Sequence, residues 1–520
     1  MPTYLSQHLK KVKNSPVANT LLSLQCGIEK EGLRVSLNGR VSHAGHPKTL
    51  GSSLTHSSIT TDYSEALLEY ITPVFQSPVA ALEFMQELHS FSASQLQHSG
   101  EYLWPASMPC FLDGEDDIRI ADFGSSNTGK LKHTYRVGLA YRYGKIMQSI
   151  AGLHFNFSPK DNFWPEYQKL LGDEQPLCDF QSSQYFGLIR NFRRHSWVLL
   201  YLFGASPAID TSFVKGRDVP LLKGPGDSLV GPYATSLRMS DVGYNNKVQS
   251  VLSLCFNDLE KYAKSLEHAI STPLSMYEKI GVKVDGEYRQ LNANLLQIEN
   301  EYYSDIRPKR VTRAGQKPVH ALKEAGVEYV EVRNIDLNPF LPLGIDAQQS
   351  HFINAFLSWC LFSESPVISD QECSVIGVNQ TVVVHQGRKP GLMLETCAGP
   401  KSLHSLGLEM MESLRLVADI MPQKQQVLAA IEAMTARIND STLTPSAQVL
   451  AAMEQGGLSH QELCFKLAKQ HQEYHLKQTI SLQRRQELSD QVHESIAKQE
   501  QIEAEQTESF DDFLAAYLAQ

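Results

Sequence analysis

The chain has 520 residues, of which 42% are hydrophobic and 20% charged, a composition typical of a globular protein with a large core. The formal net charge of −10 argues against a general nucleic-acid-binding surface, because phosphate backbones require a basic one. At roughly 150 residues per domain, the length allows three to four domains or one elaborated catalytic body with an appended part.

Several common signals are missing from the sequence. No apolar run approaches the roughly 20 residues that a bilayer span needs, and residues 1–16 carry no signal-peptide core. The eight cysteines form no CxxC pair, so we expect unpaired, buried thiols and a cytoplasmic protein that binds no membrane. Neither a GxxxxGK[ST] loop nor a strand-linked GxGxxG is present, so any nucleotide must be bound by other means.

The predicted elements suggest two parts in chain order. An Asn38-Gly39 turn predicts a hairpin over Val35–Val41, and Val284–Glu287 predicts a second one. Apolar spacing predicts helices over Ala80–Leu96 and Phe352–Phe362. Amphipathic helical patterns fill the chain from Ser402 on, and the polar stretch 470–508 is typical of exposed helices without chemistry. We therefore predict an α+β catalytic body over residues 1–400 and a helical C-terminal region over 401–520 that packs on it or extends from it.

Several short apolar segments carry polar side chains at alternate positions, which places those side chains on one face of a strand. These are Glu29 and Glu31 in Ile28–Glu31; Glu69 in Leu67–Ile71, preceded by Asp62; His154, Asn156 and Ser158 in Leu153–Ser158; Gln297, Glu299 and Glu301 in Leu295–Glu301; and Tyr329, Glu331 and Arg333 in Tyr329–Arg333. For any single segment, a solvated outer sheet face is the alternative. Together they predict one sheet whose acidic front lines a polar cavity.

Carboxylates crowded into a cavity repel one another and must be neutralised. Mg²⁺ or Mn²⁺ does this through oxygen ligands and a histidine, and the bound ions commonly meet phosphates. Basic side chains that suit phosphate or carboxylate are also present, in the cluster Arg307–Arg313 and at Arg136, Arg142 and Arg238. A solvated charge run remains the alternative for the cluster.

Seven segments together resemble one protein family, the proteobacterial glutamate–cysteine ligases. The resemblance lies in Gly27–Val35, Leu54–Pro73, Gly152–Ser158, Tyr233–Asp241, Leu296–Glu301, Arg307–Val311 and Val327–Arg333. These segments follow the family order from about residue 20 to 400, and the match continues more loosely to the end. The family belongs to the glutamine-synthetase-like carboxylate–amine ligases.

The resemblance implies a fold and an activity. The expected fold is α+β, with a curved, mainly antiparallel sheet that forms a funnel-like site and helices outside it. The expected reaction joins the γ-carboxylate of L-glutamate to the amine of L-cysteine at the expense of ATP, through a γ-glutamyl phosphate, in the first step of glutathione synthesis. Two or three Mg²⁺ ions are expected to assist, with Mn²⁺ as a substitute. We expect a monomer without an obligate protein partner.

The resemblance also implies roles for individual residues. The implied metal ligands are Glu29, Glu31, Asp62, Glu69, His154 and Glu331. Arg333 is implied to stabilise the transferring phosphoryl group, and Arg136 and Arg238 to hold a substrate carboxylate or the γ-phosphate. Candidates for the cysteine pocket are Tyr135, Gln148, Tyr244 and Tyr303. Candidates for the ATP phosphates are Arg307, Lys309 and Arg310.

Two alternatives stay open at this point. One is another ATP-dependent carboxylate–amine ligase of the same superfamily, with shared phosphoryl-transfer residues and different pockets. The other is a non-catalytic nucleotide- or metal-binding regulator, which would be expected to lack some cavity acids. A fusion that also completes glutathione is disfavoured, because about 120 mostly helical residues after residue 400 leave no room for a second ATP-dependent domain.

Overall fold

The computed structural model describes residues 4–21, 24–243, 254–313 and 315–520, and the predicted pocket residue Tyr244 lies outside them. The strands are β1 (Gln25–Ser36), β2 (Ile59–Thr61), β3 (Leu67–Ile71), β4 (Glu101–Leu103), β5 (Leu153–Ser158), β6 (Ala208–Asp210), β7 (Leu222–Lys223), β8 (Ser228–Val230), β9 (Lys283–Val284), β10 (Glu287–Tyr288), β11 (Ile306–Lys309), β12 (Tyr329–Ile335), β13 (Met393–Leu394) and β14 (Lys401–Ser402). The helices are α1 (Tyr4–Lys13), α2 (Val17–Thr20), α3 (Pro78–Ser99), α4 (Asn127–Tyr143), α5 (Phe163–Leu171), α6 (Leu177–His195), α7 (Trp197–Phe203), α8 (Leu259–Ser271), α9 (Ser275–Glu278), α10 (Pro318–Ala325), α11 (Ala347–Phe362), α12 (Asp370–Gln386), α13 (Leu403–Ala418), α14 (Lys424–Asn439), α15 (Pro445–Gly456), α16 (His460–Lys477), α17 (Leu482–Glu505) and α18 (Phe510–Ala519).

One seven-stranded sheet organises the first part of the chain. Its strands follow the order β11-β12-β5-β1-β3-β2, with β4 paired to β1, and every pairing is antiparallel. The alternation predicted from the sequence is confirmed, since Ile28, Phe155, Val330 and Val332 are fully buried on the apolar side. The polar residues between them therefore point to the opposite face.

Helices cover the apolar side of the sheet. Helix α3 packs on β1, β3 and β4, while α6 packs on β11, β12 and α11. Helix α3 begins with Pro78 in its first turn and ends at Gly100, whose φ of 70° suits glycine. The predicted helix over Ala80–Leu96 is thus confirmed and is slightly longer than the pattern indicated, as is the one over Phe352–Phe362.

The C-terminal helices contact the same body. Helices α13 and α14 pack on α11, α16 packs on α3 and β4, and α18 packs on α4. The main hydrophobic cluster extends along the chain from Leu5 to Val492. The helical nature of the region is confirmed, whereas the boundary at residue 400 stays a prediction.

Both predicted hairpins are present, and one predicted strand is wrong. Asp285 and Gly286 have φ values of 53° and 87° between β9 and β10, which is the geometry of a two-residue hairpin loop. Residues 295–301 form no strand; they are a loop that ends in a 3-10 turn over Glu299–Glu301. The physical reason is local, because side chains there satisfy the backbone: Gln297 N donates to Glu301 Oε2 at 2.7 Å, and Leu291 N to Gln297 Oε1 at 2.9 Å.

The eight cysteines are unpaired, as predicted. Their predicted burial holds for Cys26, Cys110, Cys360 and Cys464, but it is wrong for the exposed Cys178 and Cys397. Within the described parts of the chain, no helix combines the length and the apolar character that crossing a membrane requires.

Candidate active site

A polar cavity of about 680 Å³ opens on the front of the sheet. Its floor is formed by strands β1, β3, β5, β11 and β12, and its walls by α4, α12 and the loop that precedes β11. Fourteen of the predicted site residues line it: Glu29, Glu31, Asp62, Glu69, Tyr135, Arg136, Gln148, His154, Arg238, Tyr303, Arg307, Lys309, Glu331 and Arg333. The sheet register explains why residues so distant in sequence meet.

Strand pairing places the acids and the histidine side by side. Glu29 lies opposite His154 across β1 and β5, and Glu31 lies opposite Glu69 across β1 and β3. Glu331 of β12 lies opposite Asn156 of β5, one strand further along the sheet. Directly opposed residues have neighbouring side chains, so four separate strands deliver one acidic cluster.

His154 lies at the centre of this cluster. Its Nδ1 is 3.2 Å from Glu29 Oε2 and 3.8 Å from Glu331 Oε1, and its Nε2 is 4.0 Å from Glu31 Oε1. Two groups of possible ligand atoms each lie within 4.8 Å of one another: Glu29, His154 and Glu331; and Glu31, Glu69 and His154. Such spacing suits oxygen- and nitrogen-bound divalent cations.

The pKa values of the cavity carboxylates are shifted in opposite directions on the two sides of the cluster, and on the side of Glu31 and Glu69 they are raised. Burial and the nearby charges of Asp62, Glu29 and Glu31 raise the pKa of Glu69 well above its usual range. Burial likewise raises the pKa of Glu31, against the attraction of His154. A cation placed among these acids would relieve the repulsion between carboxylates that adds to burial in raising both pKa values.

At the other side of the cluster, positive groups dominate. Burial would raise the pKa of Glu331, but Lys309 and Arg333 outweigh it and hold that pKa well below its usual range. Lys309 Nζ lies 3.6 Å from Glu331 Oε1, and Arg333 Nη1 lies 3.2 Å from Glu331 Oε2. Burial opposes the charge of Arg333, yet Glu331, Glu31 and Glu29 raise its pKa. This side of the cavity therefore keeps its charges fixed, as phosphate recognition requires.

Arg238 is oriented by its contacts with Arg333 and Asp336. Its Nη2 donates to Arg333 O at 2.8 Å, and its Nη1 lies 3.8 Å from Asp336 Oδ1. Asp336 is buried and accepts from Ala205 N at 2.8 Å and from two serine hydroxyls. A Cβ on Gly152 would come within 2.2 Å of Arg238 Nη2, so glycine leaves the space for this guanidinium group.

The opposite wall carries Arg136 and the predicted pocket residues. Arg136 Nε donates to Asp62 O at 2.5 Å, and its Nη2 lies 3.3 Å from Asp62 Oδ1. Tyr303 OH donates to Gln148 Oε1 at 3.0 Å, and Tyr135 lines the cavity beside them. Three of the four residues assigned to the cysteine pocket are thus neighbours, and the fourth, Tyr244, lies outside the described residues.

Strand alternation separates the members of the basic cluster. Arg307 and Lys309 of β11 point into the cavity, and Arg307 lies opposite Glu331 in the register. Arg310 follows the end of β11 and is not among the described residues that line the cavity. Its Nε donates to Gly326 O at 2.5 Å and its Nη1 lies 3.8 Å from Glu328 Oε2, so Arg310 points toward these groups, and its role with the ATP phosphates stays a prediction.

Several cavity residues were not singled out from the sequence. Helix α12 contributes Cys373, Gly377 and Gln380, spaced so that they share one helix face. Gln380 Nε2 donates to Asp305 Oδ2 at 2.9 Å.

Lys132 lies one turn before Arg136 on α4, and burial together with Arg136 lowers the pKa of Lys132 to about 8. The helical spacing of Lys132, Tyr135 and Arg136 was the one signal that could have identified this lysine.

Clustered acids that face guanidinium groups across a solvent-accessible cavity are typical of enzyme sites for phosphoryl transfer, in which charge neutralisation and positioning provide the catalysis. The sequence profile of the glutamate-cysteine ligase family matches residues 9–383. The glutamate–cysteine ligase of Pseudomonas aeruginosa is 48% identical over 507 residues, covering 96% of both chains, and that of Hahella chejuensis is 47% identical over 525 residues, covering 100% of this chain and 99% of the relative.

Solved structures agree with the sequence comparison. The glutamate–cysteine ligase of Francisella tularensis, in complex with AMP, superposes with a TM-score of 0.90 at 35% identity, over 96% of this chain and 98% of that one. A bifunctional glutathione synthetase from Pasteurella multocida gives a TM-score of 0.73 at 26% identity, over 92% of this chain and 55% of that one. The chain belongs to the glutamate–cysteine ligase family, and the α+β fold and ligase activity inferred from the sequence are confirmed.

Proposed function

We propose that this chain joins the γ-carboxylate of L-glutamate to the amine of L-cysteine with ATP as the energy source, and that the cavity on β1, β3, β5, β11 and β12 is the place of reaction. One observation carries the assignment of the site. The acids around His154 and the cations around Glu331 share one cavity in a chain of this family. The product is γ-glutamylcysteine, the first intermediate of glutathione biosynthesis.

The donor set suits hard divalent cations such as Mg²⁺ or Mn²⁺. Glu29, His154 and Glu331 form one candidate site, and Glu31 and Glu69, with Asp62 nearby, form a second. A neutral imidazole offers one lone pair, so His154 serves the first site or the second and not both at once. When bound, the ions neutralise phosphate oxygens and polarise the phosphoryl group.

The chemistry needs no protein nucleophile. A carboxylate is a poor electrophile, so an oxygen of the γ-carboxylate attacks the terminal phosphorus of ATP and ADP leaves. The amine of cysteine then attacks the acyl carbon, inorganic phosphate leaves and a proton is released from the nitrogen. Arg333, Lys309 and Arg307 line the side of the cavity where the charge of the transferring phosphoryl group can be stabilised.

The opposite side suits the amino acids. Arg136 presents a guanidinium group to a substrate carboxylate there, and Tyr135, Gln148 and Tyr303 form a compact polar wall for cysteine. Arg238, which contacts Arg333 O, offers a second guanidinium group from the side of Arg333. The assignment of Tyr244 to this wall stays a prediction. The unpaired cysteines favour a reducing compartment, so we place the reaction in the cytoplasm, in a monomeric enzyme.

The test is ADP release by purified protein with ATP, Mg²⁺ and L-glutamate, with and without L-cysteine, with the product identified by mass. Cysteine-dependent ADP release with γ-glutamylcysteine is the expected result. ADP release only with a different amine would overturn the substrate and keep the chemistry. Folded protein that binds ATP and releases no ADP with any amine would favour a non-catalytic regulator instead.

Variants test the site itself. Glu29→Gln and Glu331→Gln each remove a negative charge from the cavity, so ADP formation is expected to be almost lost while the fold is kept. Glu328→Gln is the matched control, because Glu328 lies close to Glu331 in sequence and is not among the described residues that line the cavity. Unchanged turnover in both cavity variants would refute the ligand assignment.

A further inference from the structure

The last residues of the chain return to the wall of the cavity. Helix α18 packs on α4, the helix that carries Lys132, Tyr135 and Arg136. Before α18 begins, the chain meets the start of α4, where Ser125 N donates to Glu503 Oε1 at 2.8 Å and Asn127 Nδ2 donates to Glu508 O at 3.2 Å. Asn127 N, at the first position of α4, donates to Gln506 Oε1. The C-terminal segment therefore supplies acceptors to the N-terminal end of α4.

Helix α18 also contacts two other elements of the fold. Asp511 accepts from Lys283 Nζ at 2.8 Å and from Tyr288 OH at 2.8 Å, which attaches the β9–β10 hairpin. At its other end, Leu518 O accepts from the buried Lys317 Nζ at 3.2 Å. Three separate elements are thus joined by one short helix.

Lys317 directly precedes α10, and the first turn of α10 contacts the loop that carries cavity residues. Val319 N, in the first turn of α10, donates to Glu299 Oε1 at 3.2 Å, and Tyr517 lies close enough for Glu299 to add to the burial that raises the pKa of that tyrosine. Glu299 begins the 3-10 turn that is followed by the cavity residues Tyr302 and Tyr303. Helix α18 and the segment before it are thus linked to α4 directly, and to the loop that carries Tyr302 and Tyr303 through Lys317 and α10.

Few side chains of α18 are buried, so the packing of this helix alone holds it weakly. Among its ten residues only Leu514 and Tyr517 are buried. An isolated helix shorter than about 12 residues is marginal in water, so α18 is ordered by these contacts and not by its own propensity. The ion pair between Lys283 and Asp511 is solvent-exposed and adds little. Docking of α18 therefore depends on a small number of contacts.

We propose that residues 506–520 act as a strap whose docking positions α4 and the turn at Glu299, and thereby sets the affinity of the cavity for its amino-acid substrates. Tyr517 is the principal positioning residue, since it is one of the two buried side chains of α18 and the centre of its ring lies 5.7 Å from Lys317 Nζ. Because coupling is reciprocal, substrate binding should in turn stabilise the docked strap. The kinetic test of this inference rests on the proposed function, whereas the hydrogen-exchange test does not.

The kinetic test compares full-length variants of Tyr517 with the native chain. Tyr517→Ala is expected to raise KM for glutamate or cysteine about tenfold and to change kcat little, because the lost contact affects binding geometry and not the phosphoryl-transfer groups. Tyr517→Phe keeps the ring and should restore KM. Ala515→Ser, on the exposed side of the same helix, is the control and should match the native chain. Equal KM values for Tyr517→Ala and the native enzyme would overturn the proposal.

Amide hydrogen exchange tests the strap without turnover. In Tyr517→Ala, exchange over residues 125–136 is expected to quicken while exchange in the central strands β1 and β5 stays the same. In the native chain, ATP with glutamate should slow exchange over residues 510–519. Unchanged exchange in α4 would overturn the strap even if the native protein made no γ-glutamylcysteine. A general rise that includes β1 and β5 would also overturn it, because it would show an ordinary loss of stability.

Discussion

The buried ion pair between Arg142 and Glu301 gives the sharpest test of how the cavity wall is held. Both side chains are fully buried, and Arg142 Nη1 lies 2.9 Å from Glu301 Oε1. Glu301 also accepts from Tyr143 OH at 2.7 Å and from Gln297 N at 2.7 Å. Arg142 further donates to Gln290 Oε1 at 2.9 Å. The pair therefore joins the end of α4 to the loop that leads to the cavity residues Tyr302 and Tyr303.

Glu301→Gln keeps the size of the side chain and removes its charge. Arg142 would then be a buried charge without its carboxylate, and removing one partner of such a pair typically costs about 3–5 kcal/mol. The remaining amide can still accept one hydrogen bond, so we expect a loss near 3 kcal/mol, at the lower end of that range. Arg142→Met should cost a similar amount, because it leaves the carboxylate buried and unpaired.

Urea unfolding followed by intrinsic fluorescence measures this change, with the shift in midpoint converted through the slope of the transition. Glu260→Gln is the control: it breaks the exposed pair with Lys264, and its midpoint should match that of the native chain. The double variant Arg142→Met/Glu301→Leu should be more stable than either single variant, since no charge stays buried. If the unfolding midpoint of Glu301→Gln equals that of the native chain, the prediction that leaving Arg142 without its carboxylate costs about 3 kcal/mol is refuted.

Three further predictions concern Arg238 and pH. Asp336→Asn removes the buried negative charge near Arg238, so kcat/KM should fall by about 10- to 100-fold in the ligase assay, with ATP binding by calorimetry as the check on folding. Gly152→Ala places a methyl group against Arg238 Nη2 and should lower kcat/KM in the same assay, whereas an unaltered value would mean that this guanidinium group needs no fixed position. Burial lowers the pKa of His460 to about 4, so the unfolded state alone binds a proton between about pH 6.5 and 4, and stability is lost as the pH falls through that window. Urea titrations at pH 7 and pH 4 measure how much unfolding free energy is lost between the two pH values. His460→Gln should reduce that loss by up to about 3 kcal/mol, and an equal loss in the variant and the native chain would count against the prediction.

Much of the site could be predicted because strand alternation is a local property. Glu29, His154 and Glu331 each interrupt an apolar strand pattern, and an acid or imidazole facing away from an apolar back must meet water, a cation or a ligand. The resemblance to a known family then assigned a role to each residue. The wrong strand over Leu295–Glu301 shows the limit of this reasoning, since an alternating pattern was satisfied by local side-chain hydrogen bonds instead of a neighbouring strand.

The exclusion of Arg310 from the cavity shows a second limit. Its sequence neighbours Arg307 and Lys309 face the cavity, and charge alone does not distinguish the three. Alternation along β11 separates Arg310 from the other two, and the end of the strand and the carbonyl of Gly326 fix its direction. A strand pattern cannot tell where the strand ends, because that depends on its pairing partner.

The sequence by itself determined the apolar back and acidic front of the sheet, the helical C-terminal region and the family. These follow from side-chain periodicity and from motifs that short segments carry intact. The tertiary structure alone decided that His154 stands between two groups of acids, that Asp336 and Gly152 hold Arg238, and that α18 returns to α4. Such contacts join residues that are far apart in the sequence, and their formation depends on strand order and helix packing, which no local pattern encodes.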